Sequence, residues 1–247
     1  MHYFELHEDI YARRLAHGVH GWDDGTFDAF AMRELVCAWL AVSNAAAPGA
    51  RVLELGCGTG ALACMLAAQG FRVTAIDVSA SAIQFARSMA ARRSVAIEFE
   101  VGNVCDRVAS AGHFDVVIDS HLLHCIAFPD ERRRLLAGVS AALAPGGEFW
   151  VDTMVLGDGL EATPTRRIDD AGIVWSAVAD ASGCSDAIDA AGICWVPMRY
   201  LAAGAQALLD EFAAAGLEPI EWRLAPAGAP GEQPDLQARL VRRALPA

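Results

Sequence analysis

Between residues 51 and 155 short apolar runs alternate with longer helical stretches, and glycines mark the joints. The apolar runs are RVLEL (51–55), FRVTAID (71–77), VAIEFEVGN (95–103), FDVVIDS (114–120) and EFWVDTMV (148–155). Helical patterning fills the gaps. ALACMLAAQG runs to Gly70, residues 79–93 start at Ser79 or Ser81 as N-cap, and Asp130 to Ala144 is stopped by Pro145-Gly146-Gly147. Strands that alternate with helices must be joined by crossovers, and right-handed crossovers put helices on both faces of a parallel sheet. The fold class is therefore α/β with a doubly wound sheet, and this patterning says nothing about a ligand.

The flanks read differently. Residues 1–47 give two helices, one carrying Phe4, Leu6, Ile10, Tyr11 and Leu15 and one from Thr26 or Phe27 to Val42, with a Gly/Asp turn between them. They form an N-terminal helical lid segment on a main domain of residues 48–247. Residues 156–200 are too long for an ordinary connection. Rich in Gly, Asp and Ser, yet holding Trp175, Trp195 and Tyr200, they read as a cap inserted over a site. A helix from Leu201 to Ala215 and two strands, 217–226 and 236–244, complete the chain.

Composition excludes several partners. A net charge of −12 repels phosphate backbones and anionic membranes, so neither nucleic acid nor membrane is expected as a partner. Seven cysteines, odd in number and without a CxxC pair, suggest reduced thiols in a cytoplasmic protein. The first residues show no apolar signal region, and no run is long enough for a membrane span. No His/Cys/Asp group has metal-ligand spacing, so no metal is expected.

The chemistry concentrates in VLELGCGTG (52–60), which ends a strand and opens a helix. Glycines let the backbone turn sharply and approach a ligand. Asp77 ends the second strand 21 residues after Gly56 and can accept from two ribose hydroxyls. Dinucleotide sites use a related turn. Glu54 separates the two ligand types, because a carboxylate there repels a pyrophosphate and suits a cation. The spacing also reads GxGxG rather than GxGxxG.

VLELGCGTG, AIDVS, GHFDVVIDS and LAPGGEFWV resemble, in order and spacing, the motifs of class I S-adenosylmethionine-dependent methyltransferases, over about residues 50–155. The resemblance implies a Rossmann-like seven-stranded, mostly parallel sheet of order 3-2-1-4-5-7-6 with the last strand antiparallel. It implies S-adenosylmethionine as cofactor and S-adenosylhomocysteine as product. Gly56, Cys57, Gly58 and Gly60 would face the methionine part, with Glu54 near its ammonium. Asp77 would hold the ribose and Val78 pack on the adenine. Asn103 and Val104 stand where the family often has an aspartate for the adenine amine, a departure that weakens that contact. Asp119 and Ser120 would flank the path of the methyl group.

For the acceptor, a small molecule is expected. His121, just past the fourth strand, can take a proton from a hydroxyl or amine. His124, Tyr11, Trp22, Trp175, Arg199 and Tyr200 are candidate substrate contacts, and the Arg199 guanidinium suits a carboxylate. Each also has an ordinary reading as core or surface packing. A protein methyltransferase with an open groove and a non-catalytic nucleoside- or NAD-binding module remain the alternatives.

Overall fold

The computed structural model describes residues 2–20, 26–158, 160–179, 183–228 and 232–243. In chain order the elements are α1 (Leu6–Ala16), α2 (Arg33–Val42), β1 (Arg51–Leu55), α3 (Ala61–Ala68), β2 (Arg72–Asp77), α4 (Ala80–Arg92), β3 (Ile97–Val101), α5 (Val104–Arg107), β4 (Phe114–Ser120), α6 (Pro129–Ala142) and β5 (Leu143–Met154). Four short strands follow: β6 (Arg166–Ile168), β7 (Ile173–Val178), β8 (Ile188–Ala190) and β9 (Ile193–Tyr200). α7 (Ala205–Ala214), β10 (Leu217–Ala225) and β11 (Asp235–Arg242) end the fold.

β10-β11-β5-β4-β1-β2-β3 form one seven-stranded sheet. Setting aside β6–β9, this is the expected order 3-2-1-4-5-7-6. β11 is the antiparallel member, paired with both β5 and β10. The central strands are apolar on both faces because helices cover both. Alternation divides them: Val52, Val116, Ile118 and Trp150 pack with Val36 and Trp39 of α2, whereas Leu53, Val117 and Phe149 pack with Leu135 of α6 and Phe212 of α7. The chain runs outward from β1 through β2 to β3, then returns to lay β4 on the other side of β1. Ligands bind at such a switch point, beyond the carboxyl ends of the strands.

Several boundaries move, among them the start of the last helix, α7, from Leu201 to Ala205. α2 starts at Arg33, not at residue 26 or 27. β5 begins at Leu143, so Pro145-Gly146-Gly147 lies inside a strand instead of closing a helix. A Cβ on Gly147 would come within 2.9–3.0 Å of backbone oxygens of Phe114, Asp115 and Ala144, so this glycine permits the close pairing with β4.

Residues 156–200 hold more regular structure than their composition suggests. β6-β7-β9-β8 form a second, antiparallel sheet. Its Ile173, Trp175, Trp195 and Val196 bury against Tyr3 and Ala127. Tyr3 donates its hydroxyl to Glu131 (2.7 Å) and accepts from the Ala127 N–H (2.9 Å), tying the N-terminus to the start of α6. Among the described residues no helix is long and apolar enough to cross a membrane.

Candidate functional site

A cavity of about 730 Å³ opens at the carboxyl ends of β1, β2, β4 and β5. Its floor is the glycine bend. Gly56, Gly58 and Gly60 take φ of +70°, +51° and +80°, the left-handed region that side chains avoid. A Cβ on Gly58 would lie 2.4 Å from the Tyr11 hydroxyl, and one on Gly56 2.9 Å from Leu122 Cβ. Gly60 is not on the wall. It is the N-cap of α3, and a Cβ there would press on Ala86. Gly56, Cys57 and Gly58 do line the cavity.

Asp77 braces the bend. Its carboxylate accepts from the N–H of Gly58 (2.7 Å) and of Ser79 (2.8 Å). Each oxygen keeps a second lone pair, and the residue lines the cavity. Burial pushes its pKa up to about 6, against the pull of those two N–H groups. Val78, Asn103 and Val104 continue the wall. Asn103 also caps α5, accepting from Cys105 N–H (3.0 Å), so the acceptor expected of it is shared with the helix.

Glu54 reaches the wall from β1 and is 1% exposed. Its Oε2 has no hydrogen-bond partner among the described residues. Burial, with the Asp77 charge adding, pushes its pKa up to about 8 despite the Ala63 N–H. A folded-state pKa above the unfolded value means that the protonated form stabilises the fold. That contribution is complete below the unfolded pKa near 4.5 and is lost as pH rises through 8. The thermal midpoint of the ligand-free protein is therefore expected to drop as pH rises from 4.5 to about 8, and to drop less in Glu54→Gln. Parallel pH profiles would refute this.

α1 closes one side of the cavity. Glu8 accepts from Ser79 Oγ (2.6 Å), from the Ser81 N–H (3.1 Å) and from Ser81 Oγ, which fastens α1 to the first turn of α4. Tyr11, one turn on, lies over Gly58 and so belongs to the bend, not to the substrate end. Thr59 Oγ1 donates to the His20 carbonyl. Sequence reasoning missed Glu8; the paired serines at the start of α4 were its only signal.

At the other end Ser120, His121, Met154, Arg166, Arg199 and Asp235 face the cavity. His121 takes φ +58°, and its Nε2 lies 3.1 Å from Asp152 Oδ2. Burial opposes its protonation, but Asp152 outweighs that and the pKa is raised. Arg199 reaches Met154 Sδ at 3.5 Å and has no carboxylate partner among the described residues.

Several expected contacts are elsewhere. Asp119 is buried behind the wall, where its carboxylate accepts from the N–H groups of Leu122 and Leu123. His124 is 2% exposed, with Nδ1 3.2 Å from Thr153 Oγ1. Burial and the neighbouring His121 and Arg199 charges hold its pKa far down. Trp175 is core of the second sheet, donating to Asp169 (2.8 Å), and Tyr200 lies under the Arg132 guanidinium at 4.4 Å. None of these four lines the cavity. Trp22 lies outside the described residues.

The doubly wound sheet, its glycine bend and the carboxylate ending β2 define a Rossmann-like fold with an open switch point. Residues 52–147 match the sequence model of a methyltransferase domain. This segment is 34% identical over 113 residues to the ubiquinone biosynthesis O-methyltransferase of Xanthomonas campestris pv. campestris (strain B100), covering 45% of this chain and 46% of the relative. It is 37% identical over 107 residues to the enzyme of the same name from Caulobacter sp. (strain K31), covering 43% and 41%. The chain thus spans less than half the length of these curated relatives. Over nearly its whole length it shares the fold of the CcbJ methyltransferase from Streptomyces caelestis, with 98% of each chain covered, a TM-score of 0.64 and 20% identity. The same holds for 1,6-didemethyltoxoflavin-N1-methyltransferase from Burkholderia thailandensis, with 97% and 88% covered, a TM-score of 0.63 and 19% identity. Residues 52–147 are thus similar to a methyltransferase domain, and the chain as a whole has the fold of the two methyltransferases above. The site fits S-adenosylmethionine: Glu54 Oε2 needs a donor that an ammonium supplies, and the side-chain-free bend leaves room beside it.

Proposed function

We propose that this protein transfers a methyl group from S-adenosylmethionine to an O, N or S atom of a small metabolite by in-line displacement. One observation carries the reading: the groups suited to the cofactor and those suited to an acceptor share a single cavity. S-adenosylmethionine supplies, when bound, a sulfonium-activated methyl and becomes S-adenosylhomocysteine. The protein's task is then to position two reactants and exclude water. Asp77 accepts from the ribose hydroxyls, Val78 packs on the adenine, and Glu54 receives the ammonium. Ser120 and His121 meet the acceptor at the end of β4, where its proton must leave. Arg199, without an acid partner among the described residues, receives a carboxylate on the acceptor.

Residues 1–47 act as the lid and 156–200 as the cap of the 48–247 domain. Glu8 holds the first over the bend, and Tyr3 joins the two. Such a roof favours a small acceptor over a protein side chain on an open groove. Glu54 Oε2, buried beside the bend, suits the ammonium of S-adenosylmethionine, a group that NAD lacks. The seven cysteines carry no disulfide among the described residues, in keeping with a cytoplasmic enzyme.

Calorimetric titration with S-adenosylmethionine, S-adenosylhomocysteine and NAD tests this. The first two are expected to bind and NAD not; binding of NAD alone would overturn the reading.

A further inference from the structure

Three side chains far apart in sequence meet at the acceptor end of the cavity. His121 follows β4, Asp152 lies on β5 and Asp235 opens β11, and one potential ligand atom from each lies within 4.8 Å of the other two. The sheet builds this corner. Ser120 pairs with Asp152 across β4–β5, and Asp235 pairs with Met154 across β5–β11. His121 and Asp235 face the cavity, while Asp152 stands behind them at 4% exposure.

A second observation points to something bound there. Asp152 Oδ1 and Asp235 Oδ1 are both buried and accept no hydrogen bond from the described residues. No arginine or lysine pairs with either carboxylate among the described residues; the ion pair at this corner is His121–Asp152 itself, at 3.1 Å. Nearby Asp119 differs, since its oxygens are taken by backbone N–H groups. Two orphaned carboxylate oxygens beside an imidazole nitrogen form a donor set that wants a cation.

We propose that His121, Asp152 and Asp235 bind a divalent cation that prefers oxygen and imidazole ligands, such as Mn²⁺ or Mg²⁺. An ion entering between His121 and Asp152 replaces the proton they share, as metal binding to such ligands generally does. Asp152 decides between an ion and a substituted amine of the acceptor. It lies behind the wall, where a bare ion can reach it and a molecule filling the cavity cannot.

Resting on the methyl-transfer reading, the consequence is a hydroxyl acceptor. Bound at a position of the ion left open toward the cavity, the hydroxyl loses its proton to water more readily. Its oxygen forms the new O–C bond as the C–S bond breaks, and that electron pair stays on sulfur. His121 is then a ligand, and the cation does the work expected of a histidine base.

Wild-type protein stripped with EDTA and titrated calorimetrically with Mn²⁺ is expected to bind the ion and to broaden its paramagnetic resonance signal. Asp235→Asn and Asp152→Asn are each expected to weaken that binding about 10-fold or more, while S-adenosylhomocysteine affinity stays at the wild-type level. If Asp152→Asn in β5 fails to fold, His121→Asn repeats the test, because asparagine tolerates the positive φ there. The proposal fails if the stripped wild type binds neither Mn²⁺, Mg²⁺ nor Zn²⁺, or if the folded variants bind Mn²⁺ as the wild type does. Binding of methylammonium in place of the metal ions would assign the corner to an acceptor amine and also sink it. Loss of S-adenosylhomocysteine binding by the wild type would instead overturn the methyl-transfer reading and leave the Mn²⁺ result standing.

Discussion

Asp77→Ala is expected to weaken S-adenosylmethionine binding by about 100-fold or more, since hydrogen bonds to a charged group contribute roughly 1.5–3 kcal/mol each and the reading assigns it two ribose hydroxyls. The loss has a second source. Asp77 also holds the N–H groups of Gly58 and Ser79, so its removal loosens the bend that supports the cofactor. Asp77→Asn separates these effects: one oxygen remains to accept, and an intermediate loss is expected. The carboxylate's pKa near 6 adds a pH arm, with affinity falling as pH drops below that value because only the ionised form accepts fully at both oxygens. Calorimetry with S-adenosylhomocysteine, on variants first shown to unfold cooperatively, measures all three. Unchanged affinity in a folded Asp77→Ala protein would remove the basis for the cofactor assignment.

The largest stability effect is expected far from the cavity. Arg239 on β11 meets Glu148 on β5 through two bonds of 2.9 and 3.0 Å, and its third nitrogen reaches Glu221 at 3.1 Å. Both side chains of the central pair are 7% exposed. Trp150 Nε1 also donates to Glu148, at 2.8 Å. Burial alone would raise the Glu148 pKa; the bonds from Arg239 and Trp150 win and hold it below the usual value. Arg239→Met leaves a buried carboxylate without its partner and is expected to cost about 3–5 kcal/mol, measured by urea unfolding at neutral pH. Because the wild-type pKa is depressed, the pair's contribution is present above the unfolded pKa and is lost as pH falls through the folded one. The gap between wild type and variant should thus narrow in acid. Adding Glu148→Gln should recover part of the loss, since it removes the unpaired charge. A neutral Arg239→Met would show that the two outer strands are held by packing alone.

Legibility in the sequence followed the range of the forces involved. The β1–α3 bend was readable because its cause is local: three glycines must take positive φ within five residues. Glu54 and Asp77 were readable for a similar reason, one lying on the strand that leads into the bend and the other ending the next strand. The second sheet was not. Its β7 and β9 pair with each other across a stretch rich in Gly, Asp and Ser, and that pairing is invisible to local periodicity. His124, Trp175 and Tyr200 looked like pocket residues by type and neighbourhood. Which way His124 and Tyr200 turned was settled by Thr153 and Arg132, partners remote in sequence, and Trp175 was drawn into the second sheet by its bond to Asp169 and by Tyr3 and Ala127 packed against it.

The amino-acid order by itself determined the doubly wound sheet, the glycine bend and the carboxylates that face it. Hydrophobic period and backbone sterics act over a few residues, and those are written directly in the chain. Only the tertiary structure decided that Tyr11 covers the bend, that Gly60 and Asp119 stand behind the wall, and that His121, Asp152 and Asp235 share one corner. These placements depend on strand register and on packing between distant segments, where a one-residue slip would turn every side chain to the other face.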